Sequence, residues 1–538
     1  MFHVGNSNHS FRAFILAASA LLPSALLPSA SALAAARLDP MLVPFARGQT
    51  QNRTARVIVV LDTRRDGGPS PRRYDHAAVC TYLKAKSNQA FAELREYLGT
   101  QAAAPRSIRV AGMYWMNSTI SADVTAEGLR ILSAAPGALK IYANRIVKNE
   151  PDRVPRRRVP PPSRLTDADF PYQFREMGLD RLIQADPRID GRGVVVGHLD
   201  TGVDGNHPAL RGKIVRFFNA TTRAQGQPTD PEQHGTHTAG TIVGGDRNSV
   251  TIGVAPGARL ISAAGLGTFD DILAAMQFFL DPDGNPQTQD SPRAINNSWN
   301  SEGAPDVEPF YAALGAWEAA GILPVISAGN NGPGPQTITV PHEHPATLTV
   351  GATGEDGLVA QFSSRGPALF RGNRVNKPDL TAPGDKIRSS VPGGQFSEMG
   401  GTSMSTPQVT GATALLLQTD PRLTPDQIRK ILIDSSRPVD ENGRPQRARA
   451  WNANYGLGKL DIFGAVQLAR RVGGRRDGLR PPPVAGFDPL ASDTFLSSPE
   501  DQTVSWILRE DTVTVEELTE YPAAFQGTDW VSPSQIWR

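Results

Sequence analysis

The sequence predicts an α/β protein built on a doubly wound, mostly parallel sheet with helices on both faces, preceded by a smaller α+β unit. Three observations point there. Between residues 165 and 472, near-continuously apolar segments such as GVVVGHLD, RLISAAG and ILPVISAGN alternate with helix-patterned stretches such as DDILAAMQFFL and FYAALGAWEAAG. Strands covered on both faces read this way. Residues 55–149 run strand, helix, strand, strand, helix, strand. The two blocks are separated by EPDRVPRRRVPPPSR, residues 150–164, whose prolines and basic run fit neither helix nor strand.

In chain order, Arg12 precedes the apolar run FILAASALLPSALL and the small-residue stretch SASALAAA, so residues 1–36 read as an export signal. RVIVVLD then reads as a strand and KAKSNQAFAELREYL as a helix. SIRVAGMYWMNSTISADV gives two strands and a turn. TAEGLRILSAAPGA is a helix that opens on a cap-like Thr125 and stops at Pro-Gly. LKIYANRIVK closes the unit as a strand. The linker reads as exposed, unpaired backbone, the kind of segment proteases cut. Residues 473–538 form a tail of different composition, with a proline-rich start, a TVTV strand and scattered Trp506, Trp530 and Trp537. The sequence assigns it no role.

Lys and Arg total 55 against 53 Asp and Glu in 538 residues, a balance that argues against nucleic acid or an anionic membrane as the main partner. No run after the signal is long and apolar enough to span a bilayer. A single cysteine, Cys80, forms no intramolecular disulfide, and its neighbours AAVCTYL offer no base, so it reads as a small buried hydrophobe. HExxH is absent, and His342 and His344 in PHEHP are a weak metal signal.

Four polar residues fall where strands end or helices begin. GVVVGHLDTG puts Asp200 at a strand terminus, HGTHTAG places His234 before a small-residue helix, and ILPVISAGNNGPG ends a strand at Asn330. GGTSMSTPQVTGATALLLQ puts Ser403 ahead of a helix apolar nearly all round. Each has an ordinary reading: a turn residue, a helix-cap neighbour, Asn-Gly turn chemistry, or an N-cap hydroxyl with Pro407 in the first turn. Together they form one chemistry, because doubly wound sheets gather ligands outside the carboxyl ends of their strands. A serine hydroxyl needs a base, which His234 supplies. Asp200 would hold the imidazole tautomer and stabilise the imidazolium. The Asn330 amide, the Ser403 N–H and the helix N-terminus would stabilise an oxyanion.

The blocks DTGVDGNHPAL, HGTHTAGTIVG, VISAGNNGPG and GTSMSTPQVTGATALL resemble the subtilisin-like serine proteases over residues 180–469. The order Asp, His, Ser is that family's own. The resemblance selects Ser403 over Ser405 and His234 over His237. It implies a secreted serine endopeptidase that acts on protein or peptide substrates through an acyl-enzyme and is made as a self-processed zymogen. It also implies that the α+β unit is a ferredoxin-like, inhibitor-type propeptide that covers the active site and assists folding. Gly265, Leu266 and Gly267, with Ser298, Trp299 and Asn300, would be the two edges between which a substrate strand is added. Ser327, Ala328 and Gly329 would form one wall of the primary specificity pocket. Asn300 stands where the family usually has Gly, which implies a narrower pocket; Gln408 stands for a common His, with no expected loss of chemistry. Ala209 replaces a common calcium-ligating Asp and Arg247 a neutral ligand, so calcium is expected to be absent there. No cofactor is required on this reading, and calcium elsewhere stays open. A non-catalytic scaffold would predict a broken set of four, which is not the case. A lipase would want G-x-S-x-G with Ser ahead of His.

Overall fold

The structure, a computed structural model, describes residues 36–49, 53–63, 71–147, 156–160, 170–245, 252–299 and 307–473. The export signal up to residue 35, most of the linker, Arg247, Asn300 and the tail after residue 473 lie outside them.

The N-terminal unit comprises β1 (Arg37–Leu38), α1 (Val43–Ala46), β2 (Ala55–Leu61), α2 (His76–Thr100), α3 (Ala104–Ser107), β3 (Ile108–Tyr114), β4 (Thr119–Val124), α4 (Ala126–Ser133) and β5 (Ala138–Ala143). Its sheet runs β1-β5-β2-β4-β3, antiparallel except for β1 beside β5. The Thr125 hydroxyl caps α4 by accepting from the Gly128 N–H at 3.1 Å, the cap the sequence offers. The two-residue β1 was not anticipated, because so short a strand has no alternation to read. Asp39 ties it down, its carboxylate taking both Arg145 Nη2 at 2.9 Å and the Ala143 N–H at 3.2 Å. The alternation of β2 sorts the packing. Val57 and Val59 face the unit's own core with Phe91, Leu94 and Leu129. Ile58 points the other way, with Tyr114, Met116 and Tyr142, into a core shared with the second domain.

That domain carries α5 (Tyr172–Glu176), α6 (Leu179–Ala185), β7 (Val195–Asp200), β8 (Ile214–Asn219), β9 (Ala224–Gln225), α7 (His234–Val243), β10 (Arg259–Ala264) and α8 (Phe269–Leu280). It continues with β11 (Ala294–Asn297), α9 (Glu308–Ala319), β12 (Leu323–Ser327), β13 (Leu348–Thr353), a β14–β15 hairpin (Ala368–Phe370, Asn373–Val375), β16 (Leu380–Pro383) and a β17–β18 hairpin (Ile387–Val391, Gln395–Met399). Helices α10 (Thr402–Thr419), α11 (Pro425–Ser435) and α12 (Ile462–Gly473) follow. The main sheet is β16-β13-β12-β11-β7-β10-β8-β9, parallel throughout except β9 at the edge. Successive residues feed opposite cores. Val196, Leu260 and Ala294 pack under α10 with Leu415 and Leu416. Leu199, Ile261 and Ile295 pack under α8 and α9 with Phe279 and Trp317. Both faces are covered, as the unbroken apolar strands require.

Two local expectations are corrected. The linker is not unpaired throughout: β6 (Arg157–Val159) adds antiparallel to β18, with Phe396 opposite Val159. Arg-Arg-Val between prolines reads as spacer, and only a distant edge strand can reveal it as β structure. Helix α10 is capped by Gly401 rather than by a hydroxyl, and Pro407 lies inside it, beyond the first turn. Proline at 407 removes the N–H that would reach the Ser403 carbonyl four residues back. The Ser298 hydroxyl donates to that carbonyl instead, at 3.1 Å.

Candidate active site

Asp200 ends β7, beside Ala264 of β10. Its neighbour Leu199 pairs with Asn297 of β11, so Ser298 follows at the same level of the sheet. Helix α7 begins there with His234 as its first residue, and packs on both β7 and α10. A glycine after His234 makes the approach possible: a Cβ on Gly235 would sit 2.0 Å from the Gly202 carbonyl oxygen. His234 Nδ1 thereby lies 2.7 Å from Asp200 Oδ1.

Both carboxylate oxygens are fixed. Oδ1 also accepts the Thr201 N–H at 2.8 Å, and Oδ2 accepts the Thr238 hydroxyl at 2.9 Å. Thr238 Oγ1 lies 2.8 Å from His198 Nε2, whose Nδ1 lies 2.9 Å from Ser262 Oγ. With the Thr238 proton directed at Asp200, His198 donates from Nε2 and takes the Ser262 proton at Nδ1. The chain Ser262–His198–Thr238–Asp200–His234 is almost completely buried. Burial alone would raise the Asp200 pKa, but the facing His234 and these bonds outweigh it and hold the carboxyl below its ordinary range. Burial pushes the His198 imidazole down, which keeps it neutral.

Ser403 sits in the first turn of α10, buried, and its Oγ has no hydrogen-bond partner among the described residues. Asn330 follows β12. Its Oδ1 accepts both the N–H and the hydroxyl of Thr402 at 2.9 Å, which leaves the amide NH₂ as the outward donor. The same Thr402 hydroxyl accepts the Gly329 N–H at 3.2 Å. Thr402, Thr238 and His198 are the orienting groups that sequence reasoning missed. Thr402 and Thr238 stand next to or one helical turn from named residues, a signal within reach; His198 two residues before Asp200 looked like strand filler.

Replacing Asn330 by Ala is expected to lower kcat by about 10²–10³ with little change in KM, the usual cost of removing one oxyanion donor. Steady-state kinetics on a peptide ester checks it; a comparable rise in KM with kcat unchanged would assign Asn330 to binding.

The expected substrate edges separate. Gly267 accepts the Val147 N–H at 2.7 Å and the Phe269 N–H donates to the Arg145 carbonyl at 2.9 Å, with Ile146 bridging Thr268 antiparallel. The segment that leaves the N-terminal unit thus lies as an added strand just past Gly265, Leu266 and Gly267. Ser298 is buried against Ser403. The Trp299 ring is fully buried, edge-on to Phe310 at 5.7 Å, with Nε1 donating to Asn297 Oδ1 at 3.2 Å, so it fills core rather than cleft. Ser327, Ala328 and Gly329 are buried at the end of β12.

Behind them His342 Nδ1 donates to the Ser327 carbonyl. His344 stacks on Tyr311, and its Nδ1 accepts the Ala346 N–H at 3.2 Å. Burial drives the His342 pKa down to about 4. Between them, burial pushes Glu343 up to about 7 from 4.5, against the opposing Tyr311 hydroxyl bond. A carboxyl raised on folding stabilises the folded state while protonated, so this contribution fades as pH rises from about 4.5 through about 7. Glu343→Gln is therefore expected to gain stability over wild type at pH 8 and little at pH 5, on the order of 3 kcal/mol at most. Thermal melts at both values decide it; equal differences would refute it.

At Ala209, where the resemblance implied a lost calcium ligand, the side chain packs with Ile252 and Phe396. Among the described residues, Asp281, Asp283 and Asp290 could hold a cation, with ligand atoms within 4.8 Å of one another. Lys84 already faces Asp281 at 2.5 Å and Arg216 faces Asp290 at 3.2 Å.

The model of the Subtilase family matches residues 191–458. Bacillopeptidase F of Bacillus subtilis is 35% identical over 54% of this chain, which spans 22% of that relative's length. Serine protease AprX of the same organism is 32% identical over 58% of this chain and 72% of its own. The crystal structure of fervidolysin from Fervidobacterium pennivorans, described as a keratinolytic enzyme related to subtilisin, superposes with a TM-score of 0.55 at 21% identity, over 77% of this chain and 61% of the other. That likeness speaks to the fold alone.

Proposed function

The chain belongs to the subtilase family of serine proteases, and on that premise we propose that it is a secreted endopeptidase that works through an acyl-enzyme and is made as a self-processed zymogen. The observation that carries the reading is the Asp200–His234 pair at 2.7 Å, on a helix packed against the one whose first turn holds Ser403. In the reaction His234 Nε2 takes the proton from Ser403 Oγ as it attacks the scissile carbonyl. Asp200 holds the imidazole by Nδ1 and stabilises its positive charge. The developing oxyanion meets the Asn330 NH₂ and the Ser403 N–H at the start of α10. His234 then protonates the leaving amine, and water repeats the sequence on the ester. A fluorophosphonate is expected to modify the active protein at Ser403, located by peptide mass spectrometry. An adduct at Ser405, or none, would refute the assignment.

The added strand at Arg145, Ile146 and Val147 supports the zymogen reading. It occupies an edge of the cleft in the way a substrate would, while the rest of its unit lies on α8 and α9. Secretion rests on the leader in residues 1–36; no helix among the described residues is long and apolar enough to cross a membrane. Sequencing of the secreted product is expected to give an N-terminus within residues 150–165. A start near residue 38 would overturn the propeptide reading.

A further inference from the structure

The N-terminal unit touches the second domain in a place far from the cleft. Between β2 and α2, Tyr74 adopts a left-handed conformation, φ 68°, that turns it and Arg73 into the space between α9 and α11. The Tyr74 N–H donates to the Ala319 carbonyl at the end of α9, at 2.7 Å. Its hydroxyl donates to Asp426 Oδ2 at 2.6 Å. Arg73 lies over the Tyr74 ring, donates to Glu318 Oε1 at 2.7 Å, and lies 3.4 Å from Asp426.

The receiving side is built for a cation. Glu318 and Arg429 are 2% and 4% exposed. Arg429 lies 3.0 Å from Asp426 and 3.8 Å from Glu318, and donates its other nitrogen to the Ala346 carbonyl at 2.6 Å. The second domain therefore offers two carboxylates against one guanidinium, and Arg73 supplies the missing charge. A buried carboxylate left short of a partner is costly, so this cleft discriminates strongly for a guanidinium. The adjacent carbonyl and carboxylate suit a phenol-bearing backbone turn.

We propose that the cleft between α9 and α11, with Glu318, Asp426 and Arg429, is a recognition site for an arginine–tyrosine turn. Through it the N-terminal unit stays clamped to the peptidase domain independently of the strand on Gly267. This rests on the reading of that unit as a cleavable pro-segment. Helices α8 and α9 run in the same direction from the cleft end of the sheet, each 12 residues long. The two contacts thus lie about 18 Å apart along the helices. With the apolar face that Ile58, Tyr114 and Met116 share with α8 and α9 lying between them, these contacts on one rigid unit act at a high effective concentration, so losing the strand alone does not release it. The clamp predicts a cut but still latent complex.

The test uses the full chain carrying Ser403→Ala, so that no self-cleavage is needed, with a site for an unrelated sequence-specific protease placed at residues 148–155, so that β6 stays with the peptidase domain. After cutting, dissociation of the N-terminal fragment is followed by size exclusion and surface-immobilised kinetics. The unaltered clamp is expected to hold the fragment for hours. Arg73→Ala should raise the off-rate at least tenfold, and Tyr74→Phe, which removes one hydroxyl, several-fold. Asp426→Asn should raise it too, and should make Tyr74→Phe nearly silent. Tyr74→Phe and Asp426→Asn read the same clamp if Arg73→Ala folds poorly. Off-rates unchanged by all three variants, or a fragment that leaves the unaltered chain at once, overturn the proposal. Because the background is inactive by design, neither result bears on catalysis; failure of the wild-type chain to cut itself would instead count against the zymogen reading.

Discussion

Ser403→Ala is expected to abolish covalent labelling and to lower kcat by about 10⁶, leaving a residue of activity above water. A loss of that size follows removal of the corresponding serine in subtilisin. The physical case is local. Helix α10 presents the hydroxyl at an end where backbone N–H groups lack intrahelical partners. Its apolar body is pinned by Leu415, Leu416 and Leu417 under the sheet. The Ser403 carbonyl is held by Ser298 rather than by the helix, because Pro407 has no N–H to offer. Alanine keeps all of that and removes only Oγ, so the fold and KM should survive. Circular dichroism, melting temperature and single-turnover kinetics on a peptide ester separate lost chemistry from lost structure. Retention of more than about one thousandth of the wild-type rate would show that another group performs the attack.

Asp200→Asn should cost about 10⁴ in kcat with KM nearly unchanged, by comparison with triads in general. The amide has two ways to sit, and both fail. With its oxygen at the Oδ1 position it still accepts from Thr201 and from His234 Nδ1, but the negative charge facing the imidazolium is gone. With its NH₂ there, it opposes the Thr201 N–H 2.8 Å away and forces the wrong imidazole tautomer. Thr238→Val is the graded companion. It keeps the charge and removes only the bond to Oδ2 and the link to His198, so a loss of about tenfold is expected. If Thr238→Val proves as damaging as Asp200→Asn, the carboxylate's orientation matters more than its charge.

The four residues named from the sequence stood out because each is a polar side chain with glycine close by, at a place where an apolar strand stops or a helix begins. The supports did not. Thr238 reaches Asp200 across 38 positions, and Thr402 reaches Asn330 across 72. Their spacing from Ser403 and His234 marks them as candidates, but HGTHTAG and GGTSMS hold several hydroxyls and the linear pattern does not pair them with Asp200 or Asn330. The main sheet was readable from unbroken apolar segments, whereas β1 and β6 depend on partners far away in the chain. Trp299 shows how a motif position and a side chain's role part company. Its place in a motif suggested a cleft wall, but an indole between polar neighbours was claimed by the core beside Phe310.

Strand β6 bears on what the protein would become if the proposed processing severs the junction. Its backbone is hydrogen-bonded to β18, so the cut should fall on one side of Arg157–Val159 or the other, not within it. A break upstream would leave the new terminus zipped onto the hairpin that leads to the nucleophile's helix, with few loose residues for an exopeptidase to nibble. A break downstream would strand β6 as a short leftover of the discarded piece, free to peel away.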